Sequence, residues 1–137
     1  MRVGTPPVIA LAALEASLDI WETVNIKDVR ETSIQLTDQF IKGVEQKCSM
    51  LQLITPRIPE NRGSQVSFSF KHGYAVMQAC IERGVIGDFR APDVMRFGFT
   101  PLFIDSQDVE RALEILAEIM SKDLWNDPKF QKRNKVT

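Results

Sequence analysis

The chain has 137 residues, 44% of them hydrophobic and 26% charged, with a formal net charge of −1. That length suits one soluble domain with a moderate core, so we expect a single unit over residues 1–137. The near-neutral balance excludes a phosphate-backbone binder, which needs a surplus of Lys and Arg. No apolar run approaches the ~18 to 20 residues that span a bilayer, and the opening residues 1–7 show no secretory hydrophobic segment. A cytoplasmic location without nucleic-acid or membrane partners is therefore expected. Cys48 and Cys80 each fall in an apolar helical pattern and read as buried, reduced thiols. Two cysteines and one histidine offer no metal-ligand spacing.

The chain begins with a helix announced by Pro6-Pro7 and capped by Thr5, running to about Trp21. It is apolar almost all round, so it expects cover on several sides. Asn25 and Asp28 mark a second helix start, with Val29, Leu36, Phe40, Val44 and Cys48 as its stripe. Residues 51–55 form a short strand ended by Pro56, and 56–63 a turn-rich loop. Residues 64–70 alternate, with Val66, Phe68 and Phe70 on one face and Ser67 and Ser69 on the other, as a half-buried strand does.

A third helix spans residues 73–83 and stops at Gly84. Residues 85–89 and 94–100 read as strands about an Ala91-Pro92-Asp93 turn. The last long helix begins at Asp105 or Ser106, with Val109, Ala112, Leu113, Leu116 and Met120 as its stripe. Trp125 and Phe130 anchor a polar, basic tail. The order helix, helix, strand, strand, helix, strand, strand, helix predicts an α+β fold, with helices on one face of a small, mostly antiparallel sheet.

Arg96 is the side chain most suited to chemistry. On its strand Met95, Phe97 and Phe99 face one way, and Arg96, Gly98 and Thr100 the other. Gly98 leaves room beside a planar, permanently charged fork that suits a carboxylate. An ordinary arginine on a solvated face fits the same pattern. Asp88 reads as a structural partner for Arg90 or as a group that orients a neighbour. Arg62-Gly63-Ser64-Gln65 fits either a loop of close backbone approach or a plain loop-to-strand junction. Thr5, at a helix N-terminus, fits a cap or an anion contact, and His72 reads as an exposed turn residue. There is no phosphate-binding glycine loop and no dinucleotide fingerprint.

Several segments together resemble one family. They are Arg2-Val3-Gly4-Thr5-Pro6-Pro7, Arg62-Gly63-Ser64-Gln65-Val66 and Gly73-Tyr74-Ala75-Val76-Met77-Gln78. Two more follow: Arg83-Gly84-Val85-Ile86-Gly87-Asp88-Phe89-Arg90 and Met95-Arg96-Phe97-Gly98-Phe99-Thr100-Pro101-Leu102. In order and spacing they resemble the C-terminal, small domain of bacterial-type kynureninases, fold-type-I pyridoxal 5′-phosphate enzymes. The likeness extends over nearly the whole chain. It implies hydrolysis of L-kynurenine to anthranilate and L-alanine in tryptophan catabolism, by a homodimer with sites at the subunit interface. It also implies that Arg96 grips the substrate α-carboxylate, that Thr5 reaches the cofactor phosphate and that Gly4 lines the pocket for the substrate ring. The Gly-Thr pair resembles enzymes that prefer kynurenine over its 3-hydroxylated form.

The family's cofactor lysine, ring-stacking aromatic residue and facing aspartate belong to its large domain, and the eight lysines here match no such motif. The expectation is therefore a truncated or split gene product, or a chain cut at the domain junction. Such a chain carries no Schiff-base residue of its own and is inactive without the N-terminal half. The alternatives are an orphaned non-catalytic domain acting in binding or dimerisation, and the small domain of another type-I enzyme such as a cysteine desulfurase or an aminotransferase.

Overall fold

A computed structural model describes residues 6–132 of the protein. Its first helix, α1 (Val8–Glu22), matches the predicted span but not the predicted cap. The N-cap position is Pro7, with no side-chain cap bond, and the Leu11 amide donates to the Pro7 carbonyl. Thr5 lies outside the described residues. No residue of α1 is buried, although Val8, Ile9, Leu11, Leu14, Leu18, Ile20 and Trp21 are all large and apolar. The cover its sequence demands is not supplied by the described residues.

The core is built on α2 (Ile26–Lys47). Asn25 caps it by accepting from the Lys27 amide at 2.9 Å. Asp28 near its start and Lys47 near its end each complement the helix dipole. Leu36, Phe40, Ile41 and Val44 fall at helical spacing and are buried, with Cys48 just beyond the helix end. Four strands follow in two pairs: β1 (Gln52–Leu53) and β2 (Gln65–Ser69), then β3 (Asp88–Arg90) and β4 (Val94–Gly98). Between the pairs runs α3 (Gly73–Glu82), and after them α4 (Ser106–Ser121) and the short α5 (Pro128–Gln131). The sheet order is β1-β2-β4-β3 and every pairing is antiparallel. The predicted α+β class and element order are those observed.

Register fixes which side chains share a face. Val66 pairs with Phe97, and Phe68 with Met95. These four point to the helices and are buried with Phe40, Val76, Leu113 and Leu116 in one cluster. The helix ends are closed by local chemistry. After α3, the Val85 amide bonds to the Cys80 carbonyl and the Gly84 amide to Ile81, with Gly84 at φ +86°, a closure that glycine adopts without strain. Before α4, Asp105 accepts from the Gln107 and Asp108 amides, while the Asp108 carboxylate accepts from the Asp105 amide.

Three boundaries differ from expectation. β1 is two residues long, although the Ile54 and Thr55 amides still bond to the Ser67 carbonyl. β3 starts at Asp88 rather than Val85, since Val85 closes α3 and Gly87 is pressed against the Arg96 carbonyl and the Met77 side chain. β4 ends at Gly98, although the Phe99 amide still bonds to the Ser64 carbonyl. Ser67, expected on an open face, is buried, its amide donating to Thr55 Oγ1 and its Oγ accepting from Gln65 Nε2. Cys48 and Cys80 are buried free thiols, and burial pushes the Cys80 thiol up to about 12.

Phe40 sits at the centre of the core, its ring 5.0 Å from that of Phe97, 5.2 Å from Phe99 and 6.1 Å from Phe68. Truncation of such a residue typically costs about 3–5 kcal/mol, a large share of a domain's ~5–15 kcal/mol. Phe40→Ala should therefore lower the urea midpoint sharply or abolish the folded state. An unchanged midpoint would contradict this packing.

Candidate functional site

Arg96 reaches the outer face of the sheet because its neighbours go inward. Met95 and Phe97 are buried against the helices, so the residue between them projects from the opposite side. Its partners are Ser67 on β2 and Asp88 on β3, and the three form one row across three strands. Ser67 turns its backbone away from β4: its amide donates to Thr55 Oγ1 at 2.8 Å and its carbonyl accepts from the Ile54 amide at 2.9 Å. Ser67 and Arg96 are therefore a non-hydrogen-bonded pair, the type in which opposed side chains lie closest.

Arg96 is bound sideways by a carboxylate. Its Nε donates to Asp88 Oδ2 at 2.8 Å, and its Nη2 donates to the same oxygen. Arg90 Nε lies 3.0 Å from that oxygen too. The Arg96 contact, with a smaller contribution from Arg90, holds the Asp88 carboxyl below the usual aspartate range, against the opposing effect of burial. Asp88 thus pairs with Arg90, as its sequence position suggested, and with Arg96 as well. Arg96 Nη1 makes no hydrogen bond among the described residues. The Arg96 side chain is 31% exposed. Gly98 lies on the same side of β4, and no atom of the described residues lies within 4 Å of where a Cβ would stand. A guanidinium with one edge engaged and open space nearby can take a planar carboxylate.

The other sequence candidates are not gathered here. Gly4 and Thr5 lie outside the described residues. Arg62 is a strut rather than a ligand: its side chain is 1% exposed and bonds to Asp38, Thr37 Oγ1 and the Pro56 and Arg57 carbonyls. It pins the 56–63 loop to α2 where the chain enters β2, as a loop-to-strand junction does. His72 is not simply exposed. It is half-buried and stacks on Trp125 with ring centroids 4.6 Å apart. Lys47, Lys122 and Lys129 are paired with Glu110, Glu118 and Glu82. No metal-binding cluster of His, Cys, Asp or Glu occurs among the described residues, and no helix among them is long and apolar enough to cross a membrane. A cleft of about 380 Å³ between α4 and the end of β4 is lined by Phe40, Phe97, Gly98 and Ile115, with Arg83 and Arg111 also lining it; Arg96 does not line it. Sequence reasoning missed Ser67 as the close neighbour of Arg96, because alternation gives a residue's face but not its cross-strand partner.

Comparison with known proteins gives three results. A family described as the kynureninase C-terminal domain matches residues 29–116. Kynureninase from Pseudomonas fluorescens is 48% identical over 98% of this chain, and kynureninase from Burkholderia mallei (strain SAVP1) 45% identical over the same share. The match covers 33% of each relative, so the chain spans about a third of their length. Among solved structures, a NifS-like protein aligns with TM-score 0.69 at 18% identity, over 88% of this chain and 36% of that one. A transaminase from an ancestral-reconstruction study aligns with TM-score 0.60 at 19% identity, over 88% of this chain and 30% of that one.

The electrostatics of the row can be read directly. Removing the guanidinium by Arg96→Ala should move the Asp88 titration midpoint up toward the ordinary 3.8, followed by carboxyl chemical shifts in NMR. Because the folded-state pKa of Asp88 is depressed, its contribution to stability is present above the unfolded value and is lost as pH falls through the carboxylate range. The variant should lose less stability than the parent over that interval. An Asp88 midpoint that stays put would show that Arg96 is not its principal partner.

Proposed function

The chain belongs to the kynureninase family, and on that premise we propose that it is the C-terminal part of an enzyme that hydrolyses L-kynurenine to anthranilate and L-alanine with pyridoxal 5′-phosphate. The observation that carries this reading is the accessible Arg96 guanidinium, held by one edge on the outer sheet face. In it Arg96 binds the substrate α-carboxylate through a charge-assisted contact and fixes the amino-acid end of the substrate. Holding that end limits the poses the scissile bond can adopt, which is where positioning lowers a barrier.

The described residues do not by themselves fit the cofactor. Among the described residues no lysine bonds to Arg96, Asp88 or Ser67, and Lys47, Lys122 and Lys129 are held in ion pairs with glutamates elsewhere. We assign the Schiff-base lysine to the part of the family's length that this chain does not span. Thr5 is proposed as a contact to the cofactor phosphate, and Gly4 as a wall of the pocket for the substrate ring. The Gly-Thr pair favours kynurenine over 3-hydroxykynurenine in this reading. The bare apolar surface of α1 supports a large partner surface, which we take to be the N-terminal half within a homodimer. Free, buried Cys48 and Cys80 are compatible with a cytoplasmic enzyme. The same bare helix also favours a second reading, a non-catalytic domain that uses α1 to dimerise.

The test joins this chain to the N-terminal two-thirds of the Pseudomonas fluorescens relative and follows anthranilate fluorescence with added pyridoxal phosphate and L-kynurenine. The chain alone should release none, and the joined enzyme should turn over. Arg96→Ala should lower its kcat/KM by roughly ten- to a hundredfold, the worth of a charge-assisted contact. Turnover by the isolated chain would overturn the assignment of the lysine elsewhere. Unchanged kinetics in the variant would sink the role given to Arg96, and a joined enzyme that folds and binds cofactor but never turns over would favour the dimerisation reading.

A further inference from the structure

We propose that Asp88 is a positioning residue for the carboxylate site, holding the Arg96 guanidinium by its Nε–Nη2 edge so that the Nη1–Nη2 edge is the one offered to an incoming carboxylate. The inference rests on the reading of Arg96 as the substrate anchor and adds what aims it.

A guanidinium has two edges able to grip a planar anion. Here one oxygen, Asp88 Oδ2, accepts from both Nε and Nη2, which are the donors of a single edge. That contact restrains rotation of the guanidinium plane, while Nη1 and the second Nη2 hydrogen belong to the other edge. Asp88 therefore does not occupy the edge left for substrate, and no exchange of carboxylates is required on binding.

The position of Asp88 is itself set by the backbone. It is the register partner of Arg96 across the β3–β4 pair. The residue before it, Gly87, is packed so closely that an added Cβ would lie 2.8 Å from the Arg96 carbonyl oxygen. The strand that carries the carboxylate is thus seated against the strand that carries the guanidinium. On the other side of Arg96 stands Ser67, its register partner on β2.

Charge count adds selectivity. Arg90 Nε binds the same Asp88 oxygen at 3.0 Å, so two cations share one anion and a single positive charge remains. That remainder matches one carboxylate, the chemistry of an α-amino acid substrate. Without Asp88 the two guanidiniums would present twice the charge in no fixed direction.

The joined enzyme tests this through Asp88→Asn, Asp88→Glu and Arg96→Ala side by side. Asp88→Asn should raise KM for L-kynurenine about tenfold, the effect of weakening one charge-assisted contact, with kcat changed by less than about twofold on the same scale. Asp88→Glu, which keeps the charge, should recover part of the loss. A merely structural role would reduce melting temperature and yield of active enzyme while leaving KM alone, and that result would overturn the proposal. If Arg96→Ala raises KM and Asp88→Asn does not, the positioning role alone fails. If Arg96→Ala itself leaves KM unchanged, the anchor reading fails first. A second measurement needs no joined enzyme. In the 137-residue chain, nitrogen NMR of the arginine side chains should show slow rotation about the Arg96 Nε–Cζ bond, and faster rotation after Asp88→Asn. Equal rotation in both would likewise overturn the restraint.

Discussion

The alternation of side chains along β4 is the constraint on which the rest of the molecule depends. A strand cannot bury Met95 and Phe97 without turning Arg96 to the other side. The core and the candidate site are therefore two consequences of one register. Phe97 packs on Phe40 of α2, and Met95 lies opposite Phe68 of β2, so the helices that stabilise the fold also fix the plane from which Arg96 projects. A slip of one residue would bury a guanidinium and expose two large apolar side chains, which is costly in both directions.

The second organising fact is the imbalance of α1. Elsewhere apolar residues at helical spacing are buried, as in α2 and α4, but α1 buries none of its own. Exposed apolar surface on this scale marks a contact with something else. The chain spans about a third of the kynureninases it matches, which is consistent with a partner surface in the rest of that length. The outer sheet face and α1 then serve different purposes in the proposed enzyme: one presents a charged anchor, and the other offers apolar area to a partner surface.

Much of the fold was legible because its signals are local. Asn25, Gly84 and Asp105 each act through groups within a few residues, so helix ends could be placed from composition and order. The stripe through Leu36, Phe40 and Val44 likewise reports a face without knowledge of what covers it. What escaped were features set by distant partners. Ser67 is buried because Thr55 and Gln65 close over it, and β3 starts late because Gly87 must fit against the Arg96 carbonyl. The segment at Arg62 fitted a loop of close backbone approach and a loop-to-strand junction equally, and the side chain's partners Asp38 and Thr37 lie on α2 well back in the chain. At the site, the face of Arg96 was readable from alternation, while Asp88 was marked as a partner for Arg90 and its contact with Arg96 was not foreseen. The single-edge grip depends on cross-strand register, which no local pattern encodes.

Fold and family were distinguished by different kinds of information. The NifS-like protein and the transaminase share the architecture at 18% and 19% identity, so helices over a four-stranded antiparallel sheet do not by themselves select a chemistry. The kynureninase assignment rests on the family match over residues 29–116 and on relatives 45–48% identical over 98% of the chain, and two of the ordered segments read from the sequence, Gly87-Asp88-Phe89-Arg90 and Met95-Arg96-Phe97-Gly98, are the two strands that meet at the guanidinium. Phe89 and Met95 are register partners on the core side, while Asp88 and Arg96 are register partners on the outer side. One hairpin therefore joins core packing to a charged pair. Replacing a core residue shifts the strands that carry the charges, and replacing a charge leaves its partner unneutralised on a half-exposed face.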